Sequence, residues 1–248
     1  MKKNLFAGLI LIIVLCAAVL SASADPLKVA INPDTKPFKY IDENGDFAGI
    51  DAEVINGIAA DQGLEIEFVE MDFDKIIDAV NKCEVDLAIS ALTQTENRSK
   101  QVVFSEPYIM GLQSVFVRLK NDFMKDITDE NIKVIGAKSA TTAEETANIL
   151  SERHSLEVKL YPNYAELFAA LEADEIDAAI ADELLAKEFV DSYADMMTIG
   201  QPLTSEPYSI AVCPENQDLV IKINAGLNSL RRTGTLDQIV LDNLTPAQ

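Results

Sequence analysis

Hydrophobic positions along this chain follow two periods, and the switches between them mark out short strands and amphipathic helices. Leu27 to Ile31 (LKVAI) reads as a buried first strand, and Asn32 to Phe38, with Pro33 and Pro37, as a loop stiffened by proline. Asp42 to Asp46 is a tight polar turn. Asp51 then caps a helix with Val54, Ile55, Ile58 and Ala59 on one face, stopped by Gly63. Glu65 to Glu70 alternates as a second strand, and Phe73 to Val80 is a second amphipathic helix with Ile76, Ile77 and Val80 inward. That helix feeds EVDLAISALTQTENR, Glu84 to Arg98. Here Val85, Leu87 and Ile89 alternate with Asp86 and Ala88, and Ser90, Thr93 and Thr95 then supply hydroxyls. Thr95 to Arg98 reads as an N-cap and first helical turn, where free N–H groups and the helix dipole favour an anion. Arg98 adds a planar fork that takes a carboxylate bidentately. Taken alone, the stretch also fits a capped surface helix with a solvated arginine.

The helix-plus-strand unit recurs. FDKIIDAVNKCEVDLAIS at 73–90 matches YAELFAALEADEIDAAIA at 164–181, with Ala79/Ala170, Glu84/Glu175, Asp86/Asp177 and Ile89/Ile180 identical. A weaker echo joins Lys28-Val29 to Lys133-Val134. Two similar α/β lobes are expected, with polar loops at the strand ends, where ligands bind in open α/β sheets. SEPY occurs at both 105–108 and 205–208, each time leading into an extended segment, as two crossings between lobes would. The expected division is a leader at 1–24, a first lobe from 25–108 and 209–248, and a second lobe from 109–208.

Composition narrows the picture. The 248 residues, 48% hydrophobic and 25% charged, suffice for two modest cores. Lys2 and Lys3 precede an apolar run from Leu5 to Leu20, and Ser21 to Ala24 offers an Ala-x-Ala site, so residues 1–24 read as a secretory signal peptide. Lipidation at Cys16, or retention of the run as an anchor, are the alternatives. Without those residues the net charge falls from −21 to −23, which excludes nucleic acid as a partner. Cys83 and Cys213 remain; in an exported protein an even pair points to a disulfide, with buried free thiols as the alternative. Their spacing matches no metal site. His154, the single histidine, lies in a polar stretch, and no Ser/His/Asp or Cys/His arrangement is visible.

The markers KPFKY (36–40), GIDAEV (49–54), VEMDFDKII (69–77), EVDLAISALTQTENR (84–98), FSEPY (104–108), AKSATTAEE (137–145), EIDAAIAD (175–182) and RRTGTLDQI (231–239), in this order and spacing, resemble one family. It is the extracellular solute-binding proteins of ABC importers for polar amino acids. The resemblance implies an α/β, two-lobed type II periplasmic-binding-protein fold with two interlobe crossover strands, closing on a ligand in the cleft. It implies that Arg98 holds the ligand α-carboxylate, helped by Thr93, Thr142 and the backbone around Ser90 and Ala91. Asp182 takes the α-ammonium, Phe73 covers the ligand side chain, and Lys138 sits toward its far end. Asn32, Phe38 and Thr141 complete the implied ligand set. In this fold the strands next to Cys83 and Cys213 are antiparallel neighbours, which implies a Cys83–Cys213 disulfide at the edge away from the cleft.

Three positions depart from the family pattern. Asn32 stands where an acid is usual, Thr35 where an aromatic is usual, and Ala140 where glycine is common. The expected ligand is a polar, uncharged or acidic amino acid, glutamine first, because Lys138 repels a cationic side chain and Asn32 lacks the charge to hold one. The expected protein is an extracytoplasmic monomer without cofactor or catalysis, delivering its ligand to a membrane permease. A cyclohexadienyl-dehydratase-like lyase on the same fold and a ligand-sensing ectodomain are the alternatives.

Overall fold

The computed structural model describes residues 25–193 and 195–244; the expected leader lies outside them. The chain opens with β1 (Leu27–Ile31), then β2 (Asp34–Thr35), β3 (Lys39–Ile41) and β4 (Phe47–Ala48), which form a small antiparallel sheet. Next come α1 (Ile50–Gln62), β5 (Ile66–Glu70), α2 (Phe73–Asn81), β6 (Leu87–Ala88), the four-residue α3 (Glu96–Ser99) and β7 (Val103–Phe104). The long β8 (Ile109–Arg118) leads into β9 (Val134–Lys138), α4 (Thr142–His154), β10 (Glu157–Tyr161), α5 (Tyr164–Glu172), β11 (Ala178–Asp182) and α6 (Glu183–Tyr193). The chain returns on β12 (Met196–Tyr208) and ends with β13 (Ala211–Val212), α7 (Gln217–Thr233) and α8 (Thr235–Leu244).

Two five-stranded sheets result, one in the order β5-β1-β6-β13-β7 and the other β10-β9-β11-β8-β12. Each is the core of an α/β lobe. In the first, β1 runs parallel to β5 and β6 while β13 is antiparallel; in the second, β9 runs parallel to β10 and β11 while β8 is antiparallel. The lobes are joined by β8 and β12, which pair antiparallel from Met196 opposite Arg118 to Tyr208 opposite Ile109, with a register shift between Ile199 and Thr204. Both SEPY motifs lie at the first-lobe end of this ribbon, Tyr108 just before β8 and Tyr208 closing β12.

The repeat has a structural counterpart. Helix α2 followed by β6 in one lobe matches α5 followed by β11 in the other, and each strand lies next to its lobe's first parallel strand. The β6 region is covered on both faces, which is why it reads as a nearly continuous apolar run. Leu87 and Ile89 pack with Ile55 and Ile58 of α1 and Leu227 of α7, whereas Ala88 packs with Ile76 and Val80 of α2. On α2 it is Ala79, rather than Ile77, that joins Ile76 and Val80 in the buried set. Cys83 and Cys213 are disulfide-bonded, Cα atoms 5.2 Å apart, at the edge where β6 and β13 pair.

Asp51 does not cap α1. The cap position is Gly49, and Asp51 lies inside the first turn, fully buried. Its carboxylate accepts bonds from the Ala91 N–H at 2.8 Å and the Tyr108 hydroxyl at 2.6 Å. An unpaired carboxylate could not be buried there, so these two donors tie the turn after β6 and the first crossing to α1.

Candidate functional site

The polar ends of β6 and β11 face each other across the gap between the sheets. Lys39, Phe73, Ser90, Ala91, Thr93 and Arg98 from the first lobe and Lys138, Thr141, Thr142, Tyr164, Asp182 and Leu185 from the second line one narrow cavity, nearly shut in this arrangement, with about 10 Å³ of free volume. A larger hollow near the start of β1 is lined by Asp25, Glu65, Asp218 and Lys222, all exposed, so it lacks the buried convergent groups of a binding site.

Arg98 is placed by α3, where the Thr95 hydroxyl oxygen accepts the Arg98 N–H at 3.2 Å. The guanidinium donates to the carbonyls of Thr93 at 2.9 Å and, across the cleft, Ala140 at 3.2 Å. Both recorded bonds go to neutral acceptors, which leaves the cation short of an anion. Burial pulls its pKa below the ordinary value, opposed by Glu145, Glu206 and Asp182. The guanidinium lies 5.7 Å from the centroid of the Phe73 ring.

Asp182, at the end of β11, is only 6% exposed. Its Oδ2 accepts from the Tyr208 hydroxyl at 2.8 Å, while Oδ1 is buried without a partner. Burial, reinforced by Glu206, raises its pKa from 3.8 to about 7, against the lowering effects of the Tyr208 and Gln113 side chains and of Lys39. The two SEPY tyrosines thus serve two buried aspartates: Tyr108 bonds Asp51, and Tyr208 bonds Asp182. Thr142 begins α4, and its hydroxyl donates to the buried Glu206 at 2.9 Å.

At the other end of the cavity Lys138 is 2% exposed, with Nζ 5.1 Å from the ring centroids of both Phe73 and Tyr164. It donates across the cleft to Asp34 Oδ2 at 2.6 Å. Lys39, 1% exposed, reaches Asp34 Oδ1 at 3.3 Å. Asp34 sits at the rim with its side chain 25% accessible. Its pKa stays below the usual carboxylate value because the two lysines and Thr35 outweigh burial.

The cavity brings together Phe73, Ser90, Ala91, Thr93, Arg98, Lys138, Thr141, Thr142 and Asp182. It does not include Phe38 or Asn32. Phe38 is fully buried and packs edge-on to Tyr208, centroids 5.7 Å apart, so it is core. Asn32 lines a separate opening with Glu70, Met71, Asp72 and Lys75, and its amide, oriented to satisfy both its atoms, donates to the Asp34 carboxylate at 2.8 and 2.9 Å. Thr35 offers no aromatic ring, and the second lobe's Tyr164 lines the cavity. The repeat signals this residue, since Tyr164 aligns with Phe73 at the start of the duplicated unit. Lys39 was missed, although its partner Asp34 is only five residues upstream, on the neighbouring strand of the β2–β3 hairpin.

Residues 27–244 match the model for bacterial extracellular solute-binding proteins, family 3. The chain is 28% identical over 244 residues to the arginine-binding periplasmic protein of Mannheimia haemolytica, covering 96% of this chain and 97% of that one. Among solved structures it resembles an ancestral arginine-binding protein bound to glutamine, with 34% identity, a TM-score of 0.79, and coverage of 88% of this chain and 97% of the other. It also resembles an ancestral amino acid-binding protein described as a precursor of cyclohexadienyl dehydratase, with 27% identity, a TM-score of 0.79, and coverage of 89% and 96%. With its two lobes, crossover ribbon and polar cleft matched by the family over nearly all described residues, this chain belongs to the bacterial extracellular solute-binding proteins, family 3.

Proposed function

We propose that this protein captures a free polar amino acid in the cleft between its lobes, outside the cytoplasm, and delivers it to the permease of an ABC importer. The observation that carries this reading is the pairing of unmet needs. Arg98 lacks an anion, and Asp182 Oδ1 lacks a donor, within one enclosed cavity. An α-amino acid supplies a carboxylate for the first and an ammonium for the second, and as a zwitterion it neutralises both without leaving a charge unpaired. Thr93 and the backbone of Ser90 and Ala91 add polar contacts on one side, and the first turn of α4 adds them on the other.

A ligand held by Arg98 and Asp182 touches both lobes, so it has differential affinity for the closed arrangement and shifts the population toward it. The Arg98–Ala140 and Lys138–Asp34 contacts across the cleft support the same closed state. The side chain is polar, uncharged or acidic, a class that includes glutamine. Arginine, bound by several relatives, would place a third cation beside Lys39 and Lys138. A thermal-shift screen of the twenty amino acids tests the reading. At least one polar, non-cationic amino acid should raise Tm, whereas stabilisation by none of the twenty would refute it.

The dehydratase reading has one observation in its favour besides the structural neighbour: a carboxyl with a pKa of about 7 in a closed cleft is suited to general-acid work. Steady dehydration of a cyclohexadienyl substrate by the purified protein, lost in Asp182→Asn, would establish it.

A further inference from the structure

We propose, building on the amino-acid reading above, that the far end of the cavity is a donor-only subsite that selects an acidic side chain, with Lys39 and Lys138 together gripping its carboxylate. Each ammonium carries three N–H donors. Lys138 has one recorded hydrogen bond, to Asp34 Oδ2, and Lys39 has one, to Asp34 Oδ1. Four donors therefore remain on two side chains that are 2% and 1% exposed and line the cavity.

One carboxylate oxygen nearby, Asp182 Oδ1, has no partner and is the atom assigned above to the ligand ammonium; the other acceptors around the two lysines already hold hydrogen bonds. Asp34 accepts from both lysines, from the Thr35 hydroxyl at 2.6 Å and from the Asn32 amide at 2.8 and 2.9 Å, which exceeds the roughly four lone-pair sites of a carboxylate. Asp51, whose pKa burial raises against the lowering effect of Lys39, already accepts from Ala91 N–H and Tyr108. The Lys138 carbonyl accepts the Thr141 hydroxyl at 2.7 Å, and the Thr142 hydroxyl oxygen accepts the Gln113 amide at 3.3 Å while its proton goes to Glu206. A side-chain amide would offer the lysines one neutral carbonyl oxygen but also bring two N–H donors to a place already crowded with donors. A guanidinium or ammonium would add like charge as well. A carboxylate brings only acceptors and a compensating charge, and sites that hydrogen-bond a substrate group reject analogues that leave buried partners unpaired. Burial and Lys39 together pull the Lys138 pKa below its ordinary value, with Asp34 opposing, so a second anion would relieve this ammonium. Phe73 and Tyr164 flank it, which fixes its position between the lobes.

Isothermal titration at pH 8 of glutamate, aspartate, glutamine, asparagine and arginine into the ligand-stripped protein is the test. At least one acid should bind tenfold or more tighter than its own amide. Glutamine or asparagine binding as tightly as the acids, or arginine binding more tightly, would overturn the donor-only subsite while leaving an amino-acid-binding protein. Binding of none of the five would overturn the subsite together with the reading it rests on. In Lys39→Met the affinity for the acid should drop tenfold or more while that for the amide changes less than threefold; an unchanged acid-to-amide ratio would also overturn the proposal. Lys138→Met is the substitute should Lys39→Met fail to fold, judged by circular dichroism and melting.

Discussion

Lowering the pH from 8 to 5 should weaken amino-acid binding by roughly a hundredfold, through one carboxyl. In the empty cleft Asp182 has its pKa raised from 3.8 to about 7, chiefly by burial. The ligand ammonium docks on the ionised form, so binding requires that the proton leave. At pH 8 about nine molecules in ten already carry the ionised side chain, and at pH 5 about one in a hundred does, so apparent affinity falls tenfold per pH unit below 7. No amino-acid α-group titrates between pH 5 and 8, and Asp51, raised to about 6, does not line the cavity, which leaves Asp182 as the cavity group that responds there. Titration calorimetry at pH 5, 6, 7 and 8, in buffers of differing ionisation heat, reads both the affinity and the proton released. The ligand-free protein should respond in the opposite sense. Asp182 and Asp51, the latter raised to about 6, both bind protons more tightly folded than unfolded, so their contribution to stability is fully present below the unfolded value of 3.8 and is lost as pH rises through 6 and 7. Ligand-induced Tm shifts should therefore grow with pH while the ligand-free Tm falls. Equal affinity at pH 5 and pH 8, with no proton release, would show that Asp182 does not receive the ammonium.

Other substitutions probe the remaining parts. Arg98→Ala removes one partner of a buried charge pair, worth about 3–5 kcal/mol, and should weaken binding by several hundredfold or more with little change in ligand-free Tm, as calorimetry and melting would report. Gly49→Ala should destabilise the fold by about 2–4 kcal/mol in urea titration. The reason is that φ is +98° and a Cβ would lie 2.6 Å from the carbonyl oxygens of Pro37 and Phe38, which accept the first N–H groups of α1. Reducing the Cys83–Cys213 bond, which spans 130 residues of sequence, should cost about 2–4 kcal/mol by the same assay, and the denatured, unreduced mature protein should show no free thiol.

How much of this was legible in the sequence differs by residue, for physical reasons. The α2–β6 and α5–β11 units were readable because their apolar spacing records helix and strand burial directly, and the repeated SEPY marked where each crossover strand meets the first lobe. Arg98 was reachable from its place in a capped first helical turn that favours an anion, whereas Asp182 came only from the family resemblance, since by itself it reads as a helix cap. Asp51 looked like a helix cap because local sequence cannot show that its partners, Ala91 and Tyr108, come from 40 and 57 residues away. Phe38 and Lys39 are adjacent and both buried, one in apolar packing and the other beside Asp34, and no periodicity tells these apart. Ala140 was noted where glycine is common, and its φ of +61° shows a backbone position that favours glycine. Its carbonyl is the one that Arg98 reaches across the cleft.

The central claim is that one α-amino acid spans the two lobes between Arg98 and Asp182. A crystal structure with the tightest-binding amino acid measures this directly. The ligand carboxylate should lie within hydrogen-bond distance of the Arg98 guanidinium, and its ammonium on Asp182 Oδ1, with Phe73 and Tyr164 on either side of its far end. A ligand bound elsewhere, or one in the cleft that leaves Asp182 Oδ1 without a donor, would contradict the account.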